Sequence, residues 1–362
     1  MRFLFLITLL APLQTYAVPC IWDAGTIPAT IDNGQFNTLT CADDIIISGS
    51  IDLNSITLAD PEKPLLIETS GTFTIQSGFS LTLNGSNGGA SFGGIGVLGG
   101  SGGGDSSACA PLNGIGYPKP LGVNGGGIAG DNGIAAEIGG GGGGGTFLSL
   151  TSANGTTVNA NGGSRGSLIT NAVFNFDTLF FGGTGGGAGG CGNANATQGG
   201  AGGAGAGAIK IVAQNIIFEA NTNLLANGGT GESVGSPGAG GGGGSGGALY
   251  LSVSQNITFN LNATLNALGG TGGNGGASGG TGGQGVIRIE YGGEIIGGGA
   301  ISPTPTLVDT NTTSVQQQLE KFSSDISCAV IPRQKVPATF WQIILGFGLA
   351  LVLIKRKKTT NF

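Results

Sequence analysis

Along the chain, short aliphatic runs alternate with small polar turns and then give way to blocks of glycine. Three consecutive joints share one pattern: AGAGAIKIVAQNIIFEANTNLLANGGTG, then GSGGALYLSVSQNITFNLNATLNALGGTGG, then GGQGVIRIEYGG. Aligned on Ile211, Leu251 and Ile289, they recur after 40 and 38 residues. Such a period marks stacked repeats, in which each unit buries its apolar face against its neighbours. Each unit predicts a strand, a polar turn around Asn, a second strand and a glycine block. Upstream, DIIISGSIDL, SITL, PLLIE, TFTI and FSLTL are bounded by Asp, Asn, Gly and Pro and predict short strands. In the last of them Phe79, Leu81 and Leu83 alternate with Ser80 and Thr82, the pattern of a half-buried strand.

The expected fold is therefore all-β. It is a β-solenoid of β-helix-like stacked repeats with Gly-rich, polyproline II-like insertions, followed by one C-terminal transmembrane helix. The chain divides into a signal peptide (1–17), a β-rich capping segment (18–84), a Gly-rich β-repeat domain (85–300), a polar stalk (301–337), a membrane span (338–354) and a basic tail (355–362). The segment from Thr146 reads as an early, irregular repeat unit. VFNFDTLFF, 173–181, breaks the period and reads as a local hydrophobic plug.

Glycine accounts for 79 of the 362 residues. In GGTGGNGGA, from Gly269, one small residue follows every two glycines, which is the threefold period of polyproline II. Glycines could then face neighbouring chains while every third side chain faces out, giving a bundle whose core is backbone. The competing expectation is loops extruded from the solenoid, with Gly139–Gly145 as one of them.

Both ends carry membrane signals. Arg2 precedes the apolar stretch Phe3 to Leu10, and Thr15-Tyr16-Ala17 forms a small-residue cleavage site, as in a secretory signal peptide. Cys20 invites a lipoprotein reading, which Pro19 directly before it disfavours. Ala338 to Ile354 is an uncharged stretch just long enough to span a bilayer. Trp341 anchors one interface, and Lys355, Arg356, Lys357 and Lys358 should hold the other on the cytoplasmic side. In the stalk, Val315, Leu319, Phe322 and Ile326 recur at helical spacing and predict a short amphipathic helix.

Charge agrees with this topology. Between residues 18 and 337 there are 8 basic residues against all 19 acidic ones, a net of −11, which disfavours nucleic acid as a ligand. The five cysteines fit an oxidising compartment. Cys20–Cys41 and Cys109–Cys191 are the expected disulfides, with Cys328 left over.

Catalytic constellations are sparse. With no histidine, triads and His-containing metal sites are ruled out. Asp43-Asp44 reads as the solvated cap of a strand, and the repeats turn Lys210, Tyr250 and Arg288 outward rather than an acidic row. The glycine blocks lack the regular carboxylate of calcium-binding repeats, and no GK[ST] ends a glycine run. No catalytic residue, cofactor or metal is expected.

With these residues in view, the chain over 65–300 resembles glycine-rich bacterial cell-surface proteins, including adhesin-like β-solenoids with long Gly-Gly-X insertions. The tail likewise resembles the C-terminal sorting signals of bacterial surface proteins, with Val336-Pro337-Ala338 in the motif position. The LPxTG and PEP-type motifs are not present, which favours a plain anchor. The resemblance implies a structural or adhesive role at the cell envelope, with the membrane as one partner and an extracellular surface or glycan as another. The alternatives are a carbohydrate-active β-helix enzyme and an ice- or mineral-binding surface protein. The last would need rows of outward Thr, for which Thr230, Thr271 and Thr281 form a sparse set.

Overall fold

A computed structural model describes residues 18–310, except 90–91, 97, 107–108, 110, 115–125, 134–136, 149–150, 170–174, 177–179 and 193–196. Each coil of the chain lays down three strands in turn, one in each of three sheets. The first complete coil is β3 (Asn37–Cys41), β4 (Ile45–Ile47) and β5 (Ile51–Asp52); the second is β6 (Leu65–Thr69), β7 (Thr72–Ile75) and β8 (Ser80–Thr82). Three more follow: β9 (Ala208–Ala213), β10 (Asn215–Phe218) and β11 (Asn223–Leu225); β12 (Ala248–Val253), β13 (Ile257–Phe259) and β14 (Thr264–Asn266); β15 (Val286–Tyr291), β16 (Ile295–Gly297) and β17 (Ala300–Ser302). A final strand, β18 (Thr306–Asp309), closes the first sheet.

Pairing between coils is parallel throughout. Leu251 stands beside Ile211 on one side and Ile289 on the other, so the 40- and 38-residue periods are the coil lengths. Buried ladders fill the interior: Leu39, Ile67, Ile211, Leu251 and Ile289 from the first sheet, Ile51, Leu81, Leu224 and Leu265 from the third. Phe218 and Phe259 stack at 5.1 Å between centroids. At one corner the backbone turns through a left-handed residue, supplied by Gly78, Asn221 and Asn262 in successive coils, where glycine and asparagine are least strained.

The boundary expected at residue 84 does not interrupt the solenoid. β8 pairs directly with β11, and Leu65 with Ile209, across more than 140 residues of sequence. Residues 18–84 thus contribute two full coils as well as a cap. The cap is β1 (Cys20–Trp22), tied to β3 by the Cys20–Cys41 disulfide, and β2 (Ile31–Asp32), which runs antiparallel along β3. At this end Lys63 bonds to Asp32, which holds the Asp32 carboxyl below its ordinary value.

The glycine blocks leave the solenoid at one corner, between the third sheet and the first. They are ordered, and hydrogen-bond partners recur along them at every third residue. Their connectivity gives four layers of threefold extended helices. The top layer holds 84–89, 227–234 and 268–275, running on from β8, β11 and β14. The second holds 93–95 and then 199–207, 239–247 and 277–285, which run back into β9, β12 and β15. The third holds 100–104, 182–191, 139–145 and 153–156; the bottom holds 112–114, 126–133 and 161–166.

The run Gly139–Gly145 is a central helix of this bundle and not an extruded loop. All seven amides donate to backbone carbonyls: Gly139, Gly142 and Gly145 to Pro237, Gly240 and Gly243; Gly140 and Gly143 to Asp131 and Ile128; Gly141 and Gly144 to Thr156 and Ala153. It accepts in turn from Gly163 and Gly166, Gly187 and Gly190, and Gly280 and Gly283. Six neighbours leave no direction for a side chain. A Cβ on Gly144 would overlap the Thr281 carbonyl, and one on Gly142 the Gly187 carbonyl. None of these glycines has a positive φ, so close approach, and not an unusual backbone conformation, accounts for the run.

The segment from Thr146 forms no strand among its described residues; it supplies bundle helices instead. A second apolar cluster sits on the outer face of the first sheet, where Phe147, Ile169, Phe180 and Phe181 pack with Phe36, Leu66 and Tyr250. Phe176, Phe180 and Phe181 thus contribute to the plug read from the aromatic content of this stretch. No helix among the described residues is long and apolar enough to cross a membrane. The signal peptide, the stalk helix, Cys328, the 338–354 span and its anchors Trp341, Lys355, Arg356, Lys357 and Lys358 lie outside the described residues.

Candidate functional site: a polar ladder face

The third sheet and the top layer of the bundle form one surface, because each helix of that layer continues a strand in the same register. Ser80, Asn223 and Thr264 form one rank across three strands, and Thr82, Leu225 and Asn266 the next. The ranks continue onto the helices as Asn84, Asn227 and Leu268, then Asn87, Thr230 and Thr271, then Ser233 and Asn274. None of these residues is charged. Three residues of polyproline II rise about 9.3 Å, and stacked coils are spaced about 4.8 Å apart, so the helical ranks form a regular two-dimensional array.

A helix on the outside of a bundle has amides with no chain above or beside them, and a buried or half-buried N–H needs an acceptor. Asparagine followed by glycine supplies it. Asn84 Oδ1 accepts from the amide of Asn227 at 2.8 Å, and the next amide, Gly85, donates back to the Asn227 carbonyl at 2.8 Å. Asn87 and Gly88 clamp Thr230 in the same way, and Asn227 and Gly228 clamp Leu268. Asn132 and Gly133 clamp Cys191 at the far end of the bundle, beside the Cys109–Cys191 disulfide, while Asn132 Nδ2 bonds to the Cys109 carbonyl. Each clamp spends the asparagine oxygen on the lattice. On the face itself, the amide Nδ2 groups of Asn84, Asn87 and Asn227 and the hydroxyls of Thr230 and Thr271 remain to meet solvent or a ligand.

The outward row Lys210, Tyr250 and Arg288 has a different fate. The three residues are register partners on the first sheet. They lie under the aromatic cluster, and Tyr250 is 1% exposed. Its hydroxyl donates to Glu290 at 2.5 Å, Glu290 also bonds Arg288, and the Lys210 ammonium stands 4.5 Å from the Tyr250 ring centroid. Arg288 lies over the Phe176 ring as well. The row is a covered packing surface and not an open strand face. Asp44, expected to cap a strand, accepts the Thr72 amide at 2.6 Å.

Both expected disulfides, Cys20–Cys41 and Cys109–Cys191, are present. Among the described residues no group of three or more His, Cys, Asp or Glu side chains could hold a metal ion. Reading the sequence missed the Asn-Gly clamp. Its signal was there, since an Asn-Gly pair opens the glycine blocks after both β8 and β11. Neither a family model, nor a curated protein, nor a solved structure matches this chain.

Proposed function

We propose that this is an exported, membrane-anchored surface protein whose ladder face makes extended contacts with an extracellular surface or uncharged glycan. The observation that carries the reading is the face itself: regular, with uncharged ranks across β8, β11 and β14 and the helices that continue them, Asp52 standing at the β5 edge, and fixed by backbone hydrogen bonds on every helix beneath it. Such a lattice holds hydroxyl and amide groups in place before contact, so little side-chain entropy is lost on binding. It suits many weak polar contacts spread over an area better than one deep pocket. The two disulfides fit a protein that leaves the cytoplasm.

The test is attachment of cells carrying the full-length protein, cells lacking it, and cells carrying the double variant Thr230→Asp and Thr271→Asp. Both threonines are at the surface, so two carboxylates would charge the face and leave the lattice beneath it intact. Loss of attachment in both comparisons supports the reading; equal attachment by all three populations removes the adhesive role. One observation favours the ice- or mineral-binding alternative. Thr230 and Thr271 are side-by-side neighbours in one rank, whereas Thr281 lies in the layer below. Ice recrystallisation that the wild-type protein slows and the double variant does not would select that reading.

A further inference from the structure

We infer that Asn274 is a site of spontaneous deamidation, singled out among the Asn-Gly pairs of the described residues by its place at the edge of the ladder. The reaction depends on the glycine that follows, whose amide nitrogen can reach the asparagine side chain because it carries no Cβ to obstruct it. The Gly275 nitrogen loses its proton and attacks Cγ of Asn274. The new N–C bond forms, the bond from Cγ to the side-chain nitrogen breaks, and ammonia leaves with the proton. Water then opens the five-membered imide at either carbonyl, leaving aspartate or its β-linked isomer.

The lattice blocks this chemistry wherever the clamp is closed. At Asn84, Asn87, Asn113, Asn132, Asn154 and Asn227, the side-chain oxygen accepts a backbone amide and the following glycine amide donates to a backbone carbonyl. Both reacting groups are therefore pinned, and the nitrogen cannot swing towards Cγ unless the helix pair opens. Two pairs are held more loosely. The Gly34 amide donates to Asp32 Oδ1 in an exposed turn, and the Gly162 amide to Thr157 Oγ1.

Asn274 differs from all of them. Among the described residues no further helix lies beside 268–275 in the top layer, because the next corner, from β17 to β18, is short and carries no glycine block. The Gly275 amide has no hydrogen-bond partner among the described residues, and neither does the Asn274 side chain; the Asn274 backbone is held through its amide, which donates to Ser233 Oγ at 2.9 Å, and its carbonyl, which accepts from the Val234 amide at 2.8 Å, so both reacting groups stay unpinned. Asn274 is exposed, and Gly275 begins a bend. The product would place a carboxylate at the outer edge of the ladder, in a rank with Ser233 that otherwise carries no charge. This inference does not depend on the function proposed above.

The experiment is peptide mapping by mass spectrometry of the full-length protein incubated at mildly alkaline pH, folded and in denaturant. In the folded protein, conversion at Asn274 is expected to exceed that at Asn84, Asn87 and Asn227 by at least about tenfold, because the latter must wait for local opening. Asn33 and Asn161 should fall between. In denaturant the differences should collapse, and Asn274→Gln should remove the dominant product. The inference is overturned if Asn227 converts as fast as Asn274 in the folded protein, or if the ranking survives denaturation.

Discussion

The solenoid and the bundle share one chain and one register, yet glycine means opposite things in them. Inside the solenoid the core is made of Ile, Leu and Phe side chains, and a missing side chain is a cavity. Inside the bundle the core is made of peptide groups, and any side chain is an obstruction. The solenoid draws on the hydrophobic effect. The bundle buries little apolar surface and orders residues with the largest backbone entropy to lose. It is sustained by backbone hydrogen bonds between its helices, by attachment to the coils at each strand end, and by the Cys109–Cys191 bond.

The contrast can be broken most severely at that disulfide. It closes a loop of 82 residues that runs through the bundle, for which chain-entropy arguments give about 4.5 kcal/mol. Replacing Cys109 and Cys191 by serine should raise amide hydrogen exchange across 100–190 while protection in β9, β12 and β15 persists. Uniform loss of protection would show instead that the two regions unfold as one.

A matched pair comes next. Leu251→Ala removes atoms from the solenoid core and should cost about 3 kcal/mol. Gly144→Ala adds a single methyl to the bundle and should cost a similar amount, about 3 kcal/mol, because only backbone could move aside. Gly235→Ala is the control, since a Cβ there meets nothing within 4 Å; its effect should stay within about 0.5 kcal/mol. Denaturant midpoints would check all three, and a neutral Gly144→Ala would refute the backbone-packed core. The smallest effect is expected at the clamp. Asn227→Ala leaves the Leu268 amide without its acceptor, at about 1 kcal/mol, visible as faster exchange at Leu268 and little change in the solenoid.

Much of the solenoid was legible because its signal is local and periodic. Ile211, Leu251 and Ile289 lie at one position of a repeat, and parallel stacking turns that repeat directly into register. Two coils were harder to see in residues 18–84, where the joint to the next coil spans the whole 85–207 excursion and no fixed period survives. The outward row Lys210, Tyr250 and Arg288 was placed on the correct strands, but its cover comes from Phe147, Phe176 and Phe180, brought there through the bundle. Alternation along a strand says which way a side chain points and nothing about what arrives on that side.

By itself, then, the sequence determined most of the strands, though it gave two per repeat where each coil has three and a strand at 55–58 that does not form, together with the register of the later coils, the threefold texture of the glycine blocks and the cysteines available for pairing. Periodicity encodes these, and periodicity is a property of neighbouring residues. Only the tertiary structure decided which glycine run lies at the centre, since Gly139–Gly145 and a flexible loop are the same string until six neighbours surround one of them. It also decided which asparagines are clamped and which, at Asn274, is left open. Those outcomes depend on helices that are distant in sequence and adjacent in space.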